Sequence, residues 1–460
     1  MPDRSSRIVG VSTQVRVGNI WPPPPPVDET ESEKAHRLEK EIEALKVNNA
    51  IDQAIDSDRL ERRRRKASTK IVLLGQAESG KSTILKNFQL LFAPKSFNAE
   101  EGVWKAVIHL NLVRSVNFVL DLLQDPSPRT PSSAGRPRTP NCNQTANELR
   151  FLTMRLAPLR QVEHILTRRF CPPELGINPS GQYHRDRASE VSVRGLSGWK
   201  TLLKLRRNPQ NNAASDDLED SQRVIEACKD DMTSLWESSV VQARLKKHNV
   251  RLQDQSGFFL SDVSRIASKN YIPTPDDILH ARLQTVGVEE HRIIMETEAE
   301  RGQEWLIYDV GGSKGQRAVW APFLDDVDVV IFLAPVSVFN QPLAEDKKMN
   351  RLLDCFELWK QICGNPLLAS AQFVLLLNKI DILAAKLKAG AMFSKYVTSY
   401  KGQANDLENV SYYLKTKYIS IHQQLRPITP KPRKLYTHFT CAIDTRATSA
   451  VLSRSESLSF

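Results

Sequence analysis

One octapeptide constrains this chain more than anything else in it. Gly75-Gln76-Ala77-Glu78-Ser79-Gly80-Lys81-Ser82 fits the pattern G-x-x-x-x-G-K-[ST] and lies between a short apolar run, Ile71–Leu74, and a helix-patterned segment, Thr83–Leu91. Strand, glycine-bearing loop and helix in that order make one βα unit with the loop at the strand's end. Backbone N–H groups of Glu78, Ser79, Gly80 and Thr83 then converge at a helix N-terminus, a setting that attracts phosphate. Gly75 and Gly80 permit the turn without a Cβ clash. Lys81 can reach the outer phosphates, and the Ser82 hydroxyl can hold Mg²⁺.

Five further short runs have strand character: Arg292–Met295, Trp305–Tyr308, Val329–Leu333, Phe373–Leu377 and Leu435–Phe439. Most are apolar throughout, as strands of a sheet buried on both faces are, and helical stretches separate most of them. The expected fold is α/β: a P-loop NTPase (Ras-like) doubly wound sheet. Between Ile71–Leu74 and Arg292–Met295 no clear strand is visible. Helical patterning dominates there, around Trp104–Leu123, Glu148–Arg168 and Arg223–Lys247, so an all-α helical domain is inserted into the sheet domain. The expected division is a sheet domain over 69–95 and 281–460 and a helical domain over 96–280. Gln124–Asn147, with Ser127-Pro128, Thr130-Pro131 and Thr139-Pro140, and Asn208–Asp220 read as disordered loops.

The start of the chain is different. Residues 1–31 carry the run Pro22 to Pro26 and read as a disordered tail. Residues 32–68 read as an amphipathic helix, with Leu38, Ile42, Leu45, Ile51 and Ile55 among charges, followed by a basic segment, Arg62 to Lys66. That segment suits peripheral contact with anionic lipid or a solvated charge run.

Composition narrows the class. Among 460 residues, 64 Lys and Arg against 53 Asp and Glu give a net charge of +11, which suits an anionic partner. The basic residues lack interleaved aromatics or a recognised module, so nucleic acid is not the expected partner. The six cysteines, at 142, 171, 228, 355, 363 and 441, form no C-x-x-C pair and read as free thiols of a reducing compartment. No secretory signal is visible, and no apolar run approaches the ~18 residues of a membrane span. The expected location is cytoplasmic, including the inner face of the plasma membrane.

Three more motifs follow strands. Asn378-Lys379-Ile380-Asp381 comes after Phe373–Leu377; a carboxylate there can accept from the N1–H and exocyclic amine of guanine, a paired donor set that adenine lacks. Cys441-Ala442, after Leu435–Phe439, offers a backbone N–H to the guanine carbonyl. Asp309-Val310-Gly311-Gly312 comes after Trp305–Tyr308 and places Asp309 to hold Mg²⁺ through water and Gly312 to meet a γ-phosphate.

With these motifs the chain resembles the alpha subunits of heterotrimeric G proteins, over about residues 32–450. Tyr271-Ile272-Pro273-Thr274, Asp277-Ile278-Leu279 and Arg282-Leu283-Gln284-Thr285-Val286-Gly287 resemble that family's first switch. By this resemblance Leu279, Arg282 and Thr285 face the nucleotide, Thr285 holds Mg²⁺, and Arg282 is an arginine finger supplied in cis. Asp254, Gly257-Phe258-Phe259-Leu260 and Leu343-Ala344-Glu345-Asp346 match other family stretches, and Asp254 faces the nucleotide. The resemblance implies a GTPase cycling between GDP and GTP–Mg²⁺ states. It also implies a beta–gamma dimer on the N-terminal helix and second switch, an effector, and a membrane receptor. Small Ras- or Arf-type GTPases lack the large helical insert and fit less well.

Four departures shape the expectation. Ser313 stands where the family carries the glutamine that orients the attacking water, so hydrolysis is expected to be slow. Ala77 occupies a usual glycine position. Met1-Pro2-Asp3 lacks the acylated glycine, and no cysteine precedes 142. The chain ends at Phe460, soon after Thr445, where the family's receptor-docking helix runs further. The alternative expectation is a catalytically impaired GTP-binding scaffold for partner subunits or effectors.

Overall fold

The computed structural model describes residues 30–124, 140–170, 193–195, 212–248, 250, 252–285, 287–297, 301–343, 345–425 and 433–441. The Pro-rich tail and Ala442 lie outside them. The chain divides into two units, Met1–Ala67 and Ser68–Phe460. In the first, α1 (Glu31–Ala67) is one helix on which Leu38, Ile42, Leu45, Ile51 and Ile55 are exposed.

The second unit opens with β1 (Thr69–Gly75), the phosphate-type loop and α2 (Lys81–Phe92), followed by the short α3 (Pro94–Ala99). Helices α4 (Glu101–Gln124), α5 (Pro140–Arg155), α6 (Pro158–Phe170), α7 (Asn212–Ala227), α8 (Lys229–Glu237), α9 (Ser239–Lys247), α10 (Val263–Ile266) and α11 (Pro275–His280) come next. Strand β2 (Val193–Gly195) pairs in parallel with β3 (Leu283–Thr285). The rest is β4 (Val288–Ile294), β5 (Glu304–Val310), a 3₁₀ helix (Lys314–Phe323), β6 (Val329–Pro335), α12 (Arg351–Cys363), β7 (Gln372–Asn378), α13 (Ile380–Lys388), α14 (Leu407–Leu425) and β8 (Leu435–Thr440).

The sheet has the order β4-β5-β1-β6-β7-β8. All its neighbouring pairs are parallel except β4 against β5. Every residue of β6 is buried, because helices cover both faces. Ile71, Leu73, Ile84, Phe88 and Leu376 build the core on one face; Val72, Leu74, Phe332, Trp359 and Leu414 build it on the other. Parallel strands put their C-terminal ends on one edge, so the loops after β1, β5, β7 and β8 emerge together there.

The helical bundle has its own core, centred on α4. The mean hydropathy of α4 reaches 1.4 over 18 residues, enough by length and composition to cross a membrane, although the sequence showed no such run. That window is 78% buried within the protein, as in a bundle's central helix. Its polar residues are stitched to α6: Arg114 bonds Thr167 Oγ1 at 3.1 Å and Asn117 bonds Glu163 Oε2 at 2.7 Å.

Several local expectations need correction. Helix α5 starts at Pro140, inside a stretch expected to be disordered, because proline suits a first helical turn and neither Gly nor Pro follows until Pro158. Pro158 then splits the helix expected over Glu148–Arg168. Helix α7 starts at Asn212, inside the second expected loop, and carries the fully buried Ile225. The helical run expected over Arg223–Lys247 breaks at Cys228 and at Ser238, whose backbone is extended. Strand β2 lies where no strand was visible. Strand β4 starts at Val288 rather than Arg292. It buries His291 and Ile293 and exposes Arg292 and Ile294, so it never reads as a continuous apolar run.

Candidate nucleotide-binding site

The loop after β1 is shaped by two glycines with positive φ. Gly75 has φ 145°, and a Cβ on it would lie 2.5 Å from the Leu333 carbonyl oxygen of β6. Gly80, at φ 105°, caps α2. Ser79 is fully buried, Thr83 half-buried. The Lys81 ammonium donates to the carbonyls of Gly75 (3.1 Å) and Gln76 (2.9 Å). Burial pushes it down to about 8, against the pull of Asp309. A cation already folded over the loop needs only to exchange carbonyl for phosphate oxygens.

Asp309, at the end of β5, is 1% exposed and accepts from Ser82 Oγ at 2.6 Å. Burial raises its carboxyl, while Lys81 and Ser82 work against that rise. A hydroxyl and a carboxylate meeting beside a phosphate-type loop form an all-oxygen donor pair that fits a hard divalent cation such as Mg²⁺. Thr285 ends β3; its side chain lies outside the described residues, as does that of Asp254, whose backbone sits in a 3₁₀ turn.

Gly312 touches the loop. The Ala77 N–H donates to the Gly312 carbonyl at 3.1 Å, and a Cβ on Gly312 would lie 2.4 Å from Ala77 N and from Gln76 C. Ser313 caps the following 3₁₀ helix without a side-chain capping bond. Three residues that sequence reasoning missed hold this region together. Arg317 grips Asp354 of α12 with both terminal guanidinium nitrogens (3.0 and 2.5 Å), and Gln76 donates to the same carboxylate at 2.5 Å. The desolvated Asp354 carboxyl is nevertheless held low by Arg317 and Gln76.

Arg282 follows α11 and reaches Glu78 at 2.5 Å. Arg351, also missed, approaches Glu78 at 3.4 Å and bonds the Ala77 carbonyl at 2.9 Å. Burial would raise the Glu78 carboxyl, but the two guanidiniums hold it at about 2. Leu279 is buried in α11.

At the other end of the edge, Asn378 donates to the Ser79 carbonyl at 2.7 Å, and its Oδ1 accepts from Thr440 at 3.3 Å. One side chain thus joins the loops after β1, β7 and β8. Lys379 takes a left-handed turn at φ 66° and is pushed down to about 8 by burial. Asp381, in the first turn of α13, is exposed and able to accept from a paired donor; Cys441 is half-exposed. The edge therefore offers an anion-binding loop with a cation, an oxygen pair for a metal, and an outlying carboxylate. The missed residues had little local signal, since Gln76 fills a variable loop position and Arg317, Arg351 and Asp354 acquire meaning only when three distant segments meet.

Comparison with known proteins points the same way. A family model described as G-protein alpha subunit matches residues 45–458. The guanine nucleotide-binding protein alpha-4 subunit of Mycosarcoma maydis is 30% identical, covering 93% of this chain and 91% of that protein. The alpha-1 subunit of the same fungus is 28% identical, with 91% and 94% covered. The alpha-16 subunit of Caenorhabditis elegans is 26% identical, with 82% and 84% covered.

Proposed function

This chain belongs to the G-protein alpha subunit family, and from that premise we propose that it is a GTP–Mg²⁺ switch with slow hydrolysis. It is a guanine-nucleotide-binding signal transducer, and G-alpha proteins are in general GTPases that bind Mg²⁺ and partner with beta–gamma dimers, receptors and effectors. Here Gly75, Glu78, Ser79, Gly80, Lys81 and Thr83 cradle the phosphates, and Ser82, Thr285 and Asp309 hold Mg²⁺. Asn378, Lys379, Asp381, Cys441 and Ala442 read the guanine. A bound Mg²⁺ would neutralise charge developing on the phosphate oxygens. Arg282 supplies the transition-state cation, leaving Glu78 to do so.

One observation carries the slow rate: Ser313 follows Gly311-Gly312, and its short side chain cannot orient water as a glutamine would. The test is phosphate release from bound GTP, with and without a GTPase-activating partner. Slow release supports the reading. No release in either case favours the second reading, a GTP-binding scaffold. The Gln76–Asp354–Arg317 tie favours that reading too, because it joins the second switch to the phosphate loop and α12 through side chains of this chain.

The exposed stripe Leu38–Ile42–Leu45 on α1 would dock a beta–gamma dimer. Recovery of the dimer should fall when residues 1–60 are deleted; equal recovery removes that role. The proposed location is cytoplasmic, at the inner face of the plasma membrane, with the basic segment Arg62–Lys66 and the partners supplying peripheral contact.

A further inference from the structure

Arg282 is held at its main chain by a side chain from the helical bundle. Asn111, in the middle of α4, is fully buried. The Arg282 N–H donates to Asn111 Oδ1 at 2.8 Å, and Asn111 Nδ2 donates to the Arg282 carbonyl at 3.1 Å. Both ends of one amide therefore pair with the backbone of one residue, as a neighbouring strand would. Gly257 closes the pocket: a Cβ there would lie 2.9 Å from Arg282 Cβ and 3.0 Å from Asn111 Oδ1. One residue upstream, Lys86 of α2 donates to the carbonyls of Ala281 (2.7 Å) and Ile278 (2.8 Å), with its ammonium 4.2 Å from the Trp104 ring centre.

The backbone at 281 and 282 is thus anchored from α2 and α4, while the guanidinium reaches over to the phosphate loop. A buried amide in an apolar helix costs free energy unless both ends are paired. Here both partners belong to the arginine.

We infer that Asn111 is a positioning residue for Arg282, fixing the backbone from which the guanidinium is delivered to the phosphate chain. The inference rests on the reading of Arg282 as the transition-state cation. Arginine is long and flexible, so the placement of its tip depends on a fixed root. The helical bundle then sets hydrolytic geometry together with the phosphate loop.

The test is a double-mutant cycle on single-turnover GTP hydrolysis by the full chain. Asn111→Ala, Arg282→Ala and the pair are each first shown to bind GDP stoichiometrically with Mg²⁺. Asn111→Ala should slow hydrolysis roughly 10–100-fold, the scale of a small misplacement of a catalytic group. GTP affinity should change less than about twofold, and so should the rate when Asn111→Ala is added to Arg282→Ala, since with the arginine gone Asn111 has no catalytic group left to position. Equal slowing in both backgrounds, or an unchanged rate for Asn111→Ala alone, overturns the inference. If Arg282→Ala hydrolyses as fast as the native chain, the reading of Arg282 fails instead. No phosphate release from any chain overturns both. Should Asn111→Ala not fold, Asn111→Asp, which keeps the acceptor for the Arg282 N–H, replaces it under the same criterion.

Discussion

The two segments that flank the phosphate loop are both firmly held, but they keep different amounts of the hydrolytic chemistry. The Arg282 segment is braced by Asn111, Lys86 and Glu78 and, on the proposed reading, presents the transition-state cation. The Gly312 segment is docked through Ala77 and the Gln76–Asp354–Arg317 cluster, and on the proposed reading presents Ser313 where a water-orienting group would stand. Docking a segment and equipping it are separate matters. On the proposed reading the fold keeps a switch's geometry while its catalytic rate drifts.

The largest expected effect lies on the equipped side. Arg282→Ala should cut single-turnover hydrolysis by about 10³-fold, the lower end of what an arginine finger contributes, with GTP still bound. A change below tenfold would mean that the braced segment is no better equipped than the other. On the docked side, Asp354→Ala leaves the Arg317 guanidinium and the Gln76 amide without their shared acceptor. It should lower stability by about 3 kcal/mol in denaturant unfolding, the scale of a broken buried pair.

Gly312→Ala is next, because its methyl would press on loop backbone that cannot swing aside. An overpacking loss of about 2 kcal/mol is expected in the same assay. An unchanged midpoint would show that the segment is not docked as described.

Acid titration reads the smallest effect, because the Glu78 side chain is 31% exposed and solvent screens its ion pairs. The Glu78 carboxyl is held at about 2 against an ordinary 4.5. A depressed folded-state value means that its ion pairs with Arg282 and Arg351 add stability in full above pH 4.5, and that this is lost as pH falls toward 2. The stability gap between the native chain and Glu78→Gln should stay level above pH 4.5 and close below it. A gap that persists to pH 2 would remove the ion pairs from the account.

The motifs that were legible in the sequence are those the chain writes contiguously. Gly75–Ser82, Asp309–Gly312 and Asn378–Asp381 each follow an apolar strand on the same sheet edge, and strand-end loops need only their own residues to declare a shape. Asn111 shows why the rest was hidden. It is one of several polar residues in a mostly apolar helix, and its partner is 171 residues away. The first half of the edge strand β4 escaped, because that strand buries only one face. The breaks at Cys228 and Ser238 carry neither proline nor glycine. Such features are set by tertiary packing, which local patterning does not encode.

The most direct test of the central claim, that one flank is equipped and the other only docked, is single-turnover GTP hydrolysis by Ser313→Gln beside the native chain. Restoring a water-orienting side chain to a docked segment should raise the rate by about 10–100-fold, the usual range for a positioned catalytic group. A rate equal to that of the native chain would contradict the claim and place the limit elsewhere, with Ala77 beside Gly312 the first residue to examine.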